Sequence, residues 1–175
     1  MVLLHTPICE FDTNAIDFTL KDSQGKTYQL KDCCGPSGLL VMFICNHCPY
    51  VKKILPDLVE DARTLIKQSI GCVAIMANDY EEYPDDAPEK MHELAQKLNF
   101  PFPYLIDATQ EAGKAYGAVC TPDFFGYNAD LKLQYRGRFA GGDKCELLAA
   151  MQQIAQTGQG PREQTPSMGC SIKWK

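Results

Sequence analysis

Little in this chain points to a membrane or to nucleic acid. No apolar stretch approaches the length of a bilayer-spanning helix; the longest, from Leu39 to Cys45, has the length of a strand. Lysine and arginine are outnumbered by acids, 17 to 22, and the cations are scattered. A surface built for phosphates needs clustered cations, so a formal charge of −5 argues against a nucleic-acid partner. The opening residues, MVLLHTPICEFDTNAIDF, contain no basic run, no long apolar core and no small-residue cleavage site, so they do not read as a secretory leader. The dense charge is acidic, in NDYEEYPDDAPEK. A length of 175 residues fits one domain with a sizeable core and is short for two.

Cysteine, by contrast, is abundant. There are nine, an odd number, so complete internal pairing is impossible. Cys9, Cys33, Cys34, Cys72 and Cys145 follow no framework spacing, which suits a reducing cytoplasm better than an oxidising exterior.

The chain alternates strand and helix signals. IDFTLKDSQGKTYQLKD reads as a hairpin turning at Ser23–Gly25, and GLLVMFIC as a buried strand. From Tyr50 the apolar spacing changes to threes and fours (Val51, Ile54, Leu55, Leu58, Val59, Ala62, Leu65, Ile66), which predicts an amphipathic helix. GCVAIMAN is a second buried strand, so the three form a βαβ unit with parallel strands and a right-handed crossover. DDAPEKMHELAQKL predicts a helix, PYLID a short strand and TQEAGKAYG a short helix. DFFGYNADLKLQYRGRF predicts a hairpin around Asn128–Asp130, and CELLAAMQQIAQ a last helix. Residues 1–156 are read as the domain, and 157–175 as an ordered or semi-ordered tail packed on or near it.

The first buried strand runs straight into CNHCPY. A helix start exposes unpaired N–H groups and the positive end of the macrodipole. A thiolate at Cys45 would face those donors and its pKa would fall. An ordinary thiol is only about 3% ionised at pH 7, and the thiolate is the attacking species in disulfide exchange. Cys48, one turn on, would resolve the mixed disulfide and is expected to be more buried and less acidic. A protonated His47 would add positive charge beside Cys45, Asn46 would offer a side-chain N–H to sulfur, and Pro49 suits a first helical turn. The competing reading is half of a zinc site, but structural zinc takes four ligands and no second CxxC or HxxxH stands at a ligand spacing.

With these motifs in place, the chain resembles the thioredoxin superfamily, in the thiol–disulfide oxidoreductase branch related to the peroxiredoxin and cytochrome-maturation proteins. The resemblance is carried by DFTLKDSQGKTYQL, CNHCP, FPFPYLIDATQEAGKAYGAVCTPDFFGYNADLKLQYRGR and the ending PSMGCSIKW, which looks like a bacterial subgroup. It implies an α/β thioredoxin fold, with a central mixed sheet flanked by helices, an N-terminal hairpin extension and a C-terminal tail. It also implies a cis proline at Pro122 facing the dithiol, with Thr121 supplying backbone contacts to a bound substrate chain. No organic cofactor and no metal are implied. The partners would be protein or small-molecule disulfides and an external thiol donor of the thioredoxin or glutathione type, in the bacterial cytoplasm.

Three departures qualify that resemblance. LLVMFI contains no carboxylate of the kind thioredoxin buries beneath its dithiol, which leaves Glu81, Glu82 or water as candidate proton acceptors for Cys48. The peroxiredoxin pattern Pro-x-x-x-Thr-x-x-Cys is not met: counting back from Cys48 gives Cys45 and Val41, and from Cys45 gives Met42 and Gly38. Cys120 and Cys170 are extra thiols, each either an auxiliary redox group or a small buried filler. Arg136 and Arg138, alternating on one strand, read as surface ion-pairing residues, and Tyr50 as part of the site's rim. The expected activity is therefore thiol–disulfide exchange by Cys45 and Cys48. A thiol-dependent peroxidase and a metal-binding or non-catalytic interaction module are the alternatives.

Overall fold

A computed structural model describes residues 2–175 of the protein. In chain order the elements are strand β1 (Leu3–His5), hairpin strands β2 (Thr19–Asp22) and β3 (Thr27–Gln29), and a short helix α1 (Leu30–Cys33). Strand β4 (Gly38–Phe43), helix α2 (Pro49–Lys67), strand β5 (Ile70–Met76), helix α3 (Pro88–Lys97) and strand β6 (Tyr104–Ile106) follow. Helix α4 (Glu111–Tyr116), strands β7 (Cys120–Thr121), β8 (Asp123–Tyr127) and β9 (Leu133–Tyr135), helix α5 (Glu146–Thr157) and strand β10 (Met168–Ser171) complete the chain.

Seven strands form a mixed sheet in the order β3-β2-β6-β5-β4-β8-β9. β4, β5 and β6 run parallel, joined by α2 and then α3, while β2 and β8 flank them antiparallel. β4 is central because every one of its six residues can be buried. Leu40, Met42 and Ile44 pack on one face with Leu55, Leu58 and Val59 of α2 and with Met151 and Ile154 of α5. Leu39, Val41 and Phe43 pack on the other with Phe125, Tyr127 and Tyr116. Each such large side chain removed from water contributes on the order of 1.5–3 kcal/mol before ordering costs. Both faces are thus covered, the α/β architecture with flanking helices expected above. No helix among the described residues is long and apolar enough to cross a membrane.

The ends of the chain build something the sequence reading did not resolve into strands. β10 lies between β1 and β7 in a second, three-stranded sheet, with Cys170 paired to both Leu3 and Thr121 and Ser171 paired to Cys120. The tail is anchored on both sides of that strand. Ser167 Oγ donates to Pro122 O at 2.8 Å, and Lys173 N donates to Asn78 Oδ1 at 2.8 Å. Gly169 makes the close approach possible, because a Cβ there would overlap the Thr121 carbonyl oxygen. The Thr121–Pro122 peptide bond is cis.

One surface expectation is corrected. Arg136 is 8% exposed and donates to Asp123, itself fully buried, at 2.9 and 3.3 Å, and its guanidinium lies over the Phe125 ring. Of the two arginines, Arg138 makes the partly exposed ion pair, with Glu146 at 2.8 Å. A buried carboxylate needs such a partner, and the sequence spacing alone did not show that one waited on the neighbouring strand.

Gly169→Ala should therefore push β10 off β7, destabilising the protein by about 1–3 kcal/mol, the usual cost of overpacking. Amide exchange at Ser171 and Ile172, whose N–H groups bond Val2 O and Val119 O, should speed up relative to that of β4.

Candidate active site

β4 delivers the chain to Ile44 and Cys45, Asn46 and His47 bend away from the strand direction, and α2 begins at Pro49. Proline fixes that start, since its missing N–H is harmless in the first turn. Cys48, not Cys45, is consequently the residue that caps the helix. The expectation that Cys45 would sit on the helix donors is corrected on this point, because the influence of a helix terminus fades beyond its first turn.

The two thiols perturb each other's ionisation and share Thr121 as a neighbour. Thr121 places its hydroxyl 3.4 Å from Cys45 Sγ and its carbonyl oxygen 3.3 Å from Cys48 Sγ. Cys170 Sγ lies 3.1 Å from Cys48 Sγ. All three sulfurs belong to buried residues, 1%, 0% and 2% exposed for Cys45, Cys48 and Cys170, so Cys48 is no more hidden than Cys45 in any useful sense. Among the described residues no disulfide is formed.

Within the pair the Cys48 pKa is pushed down and that of Cys45 up, while Cys48 Sγ donates to Thr121 O, a bond that its thiol form makes. The hydrogen bond from Cys45 lowers the Cys48 pKa; burial opposes this, and Cys170 and the Val51 N–H reinforce it. Cys45 is held well above an ordinary thiol by its hydrogen bond to Cys48, by burial and by the nearby Asp86 charge. This reverses the acidity order read from the sequence. The physical reason is the same one-turn displacement, together with the acidic neighbour that the sequence did not place.

That neighbour is the least foreseen part of the site. Asp86 ends a short 3-10 turn in the acidic segment and is fully buried. Its carboxylate accepts from Asn46 N at 2.7 Å, His47 N at 3.2 Å, His47 Nδ1 at 2.5 Å and Asn78 Nδ2 at 2.9 Å. Burial would raise its pKa; the His47 and Asn78 bonds outweigh that and lower it. Glu81 and Glu82, the acids proposed from the sequence, are exposed. One buried acid among six in NDYEEYPDDAPEK carries no compositional mark; its only signal is the Pro84 turn that folds it inward.

The two central residues of CNHC therefore do other work than expected. His47 is pulled above its ordinary pKa chiefly by its bond to Asp86, but its charge is spent on that carboxylate, and its ring stacks on Tyr83 with centroids 5.7 Å apart. Asn46 does not donate to sulfur: its Nδ2 donates to Asp85 O at 3.0 Å and its Oδ1 accepts from Tyr104 OH at 2.9 Å. Thr121 does not offer a vacant backbone edge, since β10 is paired with it. Cys120 is packing: it is fully buried, its Sγ is 3.9 Å from Pro122 O, and burial pushes its thiol up to about 12. Tyr50 lines a largely apolar cleft of about 850 Å³ with Pro49, Ile54, Pro122, Phe139 and Met168, the open space bordering the cis-proline side of the site.

Cys45, His47 and Asp86 also offer one metal-ligand atom each, all within 4.8 Å of one another. The imidazole and carboxylate of that trio are already bonded to each other, and the carboxylate is filled by four donors, so these polar atoms are satisfied without an ion.

Residues 12–140 match the AhpC/TSA family. Over its whole length the chain is 39% identical to an uncharacterized conserved protein from Geobacillus kaustophilus, 97% of which is covered, with a TM-score of 0.94. It is 36% identical to a hypothetical protein from Sinorhizobium meliloti, with 98% of this chain and 97% of that one covered and a TM-score of 0.92. A putative protein disulfide isomerase from Bacteroides thetaiotaomicron shares the fold at 16% identity, with 90% and 96% covered and a TM-score of 0.69. No match was found among curated proteins.

The His47–Asp86 pair predicts a pH signature. In an NMR titration His47 should ionise above the ordinary histidine value of roughly 6.5, and Asp86→Asn should bring it back to or below that value. A raised histidine pKa stabilises the fold below its unfolded value and loses that effect as pH rises through the folded one. A lowered aspartate pKa stabilises above the ordinary carboxylate range and loses its effect as pH falls through the folded value. Urea midpoints of the native chain should thus fall off on both sides of that window, and those of Asp86→Asn should be flatter across it.

Proposed function

The chain belongs to the AhpC/TSA family, a redoxin branch of the thioredoxin superfamily, and from that premise we propose that it is a thiol–disulfide oxidoreductase whose Cys45–Cys48 pair cycles between dithiol and disulfide. The family carries thiol–disulfide oxidoreductase or peroxidase chemistry in general. The observation that favours exchange is the pair of buried thiols on one strand-to-helix turn, with both Thr121 oxygens against them.

The geometry supplies a proton route that needs no buried carboxylate beneath the sulfurs. Cys45 gives up its proton, to Cys48 or to water, and attacks a partner disulfide R–S–S–R′. A Cys45–S–R bond forms, and R′S⁻ leaves to be protonated by water. Cys48 then gives up its proton and attacks Cys45 Sγ, so that the Cys45–Cys48 bond forms and RS⁻ departs with that proton. Two electrons have passed to the partner. An external thiol donor of the thioredoxin or glutathione class returns them, and no organic cofactor takes part. With both sulfurs buried, a partner has to enter by displacing residues around the site, and the apolar cleft beside Pro49 and Pro122 is the adjoining space. This reading places the protein in a reducing cytoplasm, consistent with its odd number of unpatterned cysteines.

Peroxide reduction is the second reading. It is favoured by the Thr121 hydroxyl 3.4 Å from Cys45 Sγ, a donor available to a bound oxygen. Against it, Arg136 and Arg138 are engaged by Asp123 and Glu146 and not by the sulfurs.

With a small-molecule or protein disulfide as substrate, Cys45→Ser should lower turnover at least about 100-fold, and Cys48→Ser should accumulate a mixed disulfide at Cys45 detectable by intact mass. Unchanged turnover in Cys45→Ser overturns the assignment. If hydrogen peroxide instead oxidises the pair about 100-fold faster than it oxidises the exposed Cys145, the peroxidase reading replaces it.

A further inference from the structure

The tail brings a third thiol to the site. Because Cys170 is the register partner of Thr121, the same residue that touches both active thiols also sets where the Cys170 sulfur falls. The result is the 3.1 Å contact with Cys48 Sγ. A disulfide bond is about 2.05 Å long, so bonding these two sulfurs needs an approach of only about 1 Å. The placement is held from both ends: Ser171 N bonds Val2 O, Ile172 N bonds Val119 O, and Ser167 Oγ bonds Pro122 O. Cys120 provides an internal contrast, since it lies on the strand beside β10 yet its sulfur turns to Pro122 O at 3.9 Å. Cys170 and Cys48 are enclosed together, at 2% and 0% exposure, so the 3.1 Å neighbour is a ready exchange partner once Cys48 is oxidised.

We propose that Cys170 is a third redox thiol, delivered by β10 to Cys48, so that the oxidised chain holds its disulfide either as Cys45–Cys48 or as Cys48–Cys170. In the native chain this deepens the dithiol reading and rests on it for the first of those linkages. Starting from Cys45–Cys48, the Cys170 thiol loses its proton and its sulfur attacks Cys48 Sγ. The Cys48–Cys170 bond forms, and the Cys45–Cys48 bond breaks with its electron pair going to Cys45. Cys45 takes up the proton that Cys170 released. Nothing is oxidised or reduced overall. The oxidising equivalent moves onto the tail, Cys45 becomes a thiol again, and β10 is covalently tied along the Thr121 edge. The reverse attack by Cys45 on Cys48 restores the first linkage.

The test equilibrates the native chain, Cys45→Ser and Gly169→Ala in buffers of oxidised and reduced glutathione. Each sample is quenched with acid, alkylated in denaturant and mapped without reduction. In Cys45→Ser, Cys48 attacks oxidised glutathione and releases one glutathione; Cys170 then attacks Cys48 and releases the second. Cys48–Cys170 should be the main product of that variant and should accompany Cys45–Cys48 in the native chain. In Gly169→Ala, which loosens β10 but keeps all three cysteines, the Cys48–Cys170 fraction should drop several-fold while Cys45–Cys48 persists. The proposal is overturned if Cys45→Ser yields only a glutathione adduct on Cys48 with Cys170 alkylated. It is also overturned if loosening the strand leaves the Cys48–Cys170 fraction unchanged, since the linkage would then owe nothing to the placement. Formation of Cys48–Cys170 in a native chain that fails to turn over partner disulfides would sink the proposed function and leave this inference standing; turnover without the linkage would do the opposite.

Discussion

The site depends on one buried carboxylate. Asp86 is fully enclosed, and an isolated charge in such a place would cost several kcal/mol unless donors surrounded it. Four donors do, and three of them come from the two residues between the cysteines. Meeting the needs of that carboxylate therefore dictates the backbone path from Cys45 to Cys48. Asn46 is held a second time, by Asp85 O and Tyr104 OH, so the loop is clamped from the acidic segment and from β6. The clamp also settles the electrostatics. His47 and Asp86 carry opposite charges against each other, and what reaches the sulfurs from that direction is the residual repulsion of Asp86 felt by Cys45.

A second constraint comes from the other side. Thr121 faces the thiols with its oxygens and faces β10 with its backbone, so the tail strand and the active pair share one residue as their reference point. Anything that shifts β10 along its register shifts Cys170 against Cys48. This couples the last residues of the chain to the first buried strand through a contact spanning more than a hundred residues, and it does so by strands of only two to four residues. β10 is held because it lies between β1 and β7 and is buttressed by side-chain bonds from Ser167, Asn78 and Gln110.

Much of the fold was legible in the sequence because long periodic segments carry it. The 19 residues of α2 repeat their apolar positions over five turns, and the all-apolar β4 and β5 admit only a two-sided burial. The CxxC on a strand-to-helix turn was equally plain. The remainder was not legible for identifiable reasons. β1, β7 and β10 are too short to display a period, and their pairing is a long-range fact of the fold. The burial of Asp86 and Arg136 is decided by partners 40 and 13 residues away, Asn46 and Asp123, which no local pattern announces. The acidity order of the cysteines turned on which of the two stands at the helix cap, a question of three residues at an element boundary, where sequence reading is weakest.

That boundary has a chemical consequence for the order of events at the site. A pair in which the pKa of the helix-capping member is pushed down and that of its neighbour up favours Cys48 as the acceptor of the Cys45 proton. On the proposed dithiol reading Cys48 would act first as the base for Cys45 and only afterwards as the resolving nucleophile, two roles that a carboxylate and a thiol divide in thioredoxin-like sites with a buried acid. Cys170 shares the load in the resting state, since its thiol lies against the Cys48 sulfur and stabilises the charge there. The absence of an acid from LLVMFI and the presence of a cysteine in GCSIKW are, on this argument, two sides of one arrangement. With no carboxylate beneath the pair, the nearest groups to the Cys48 sulfur are the Thr121 carbonyl and the Cys170 thiol, and any proton leaving Cys45 has to be taken up among them or by water.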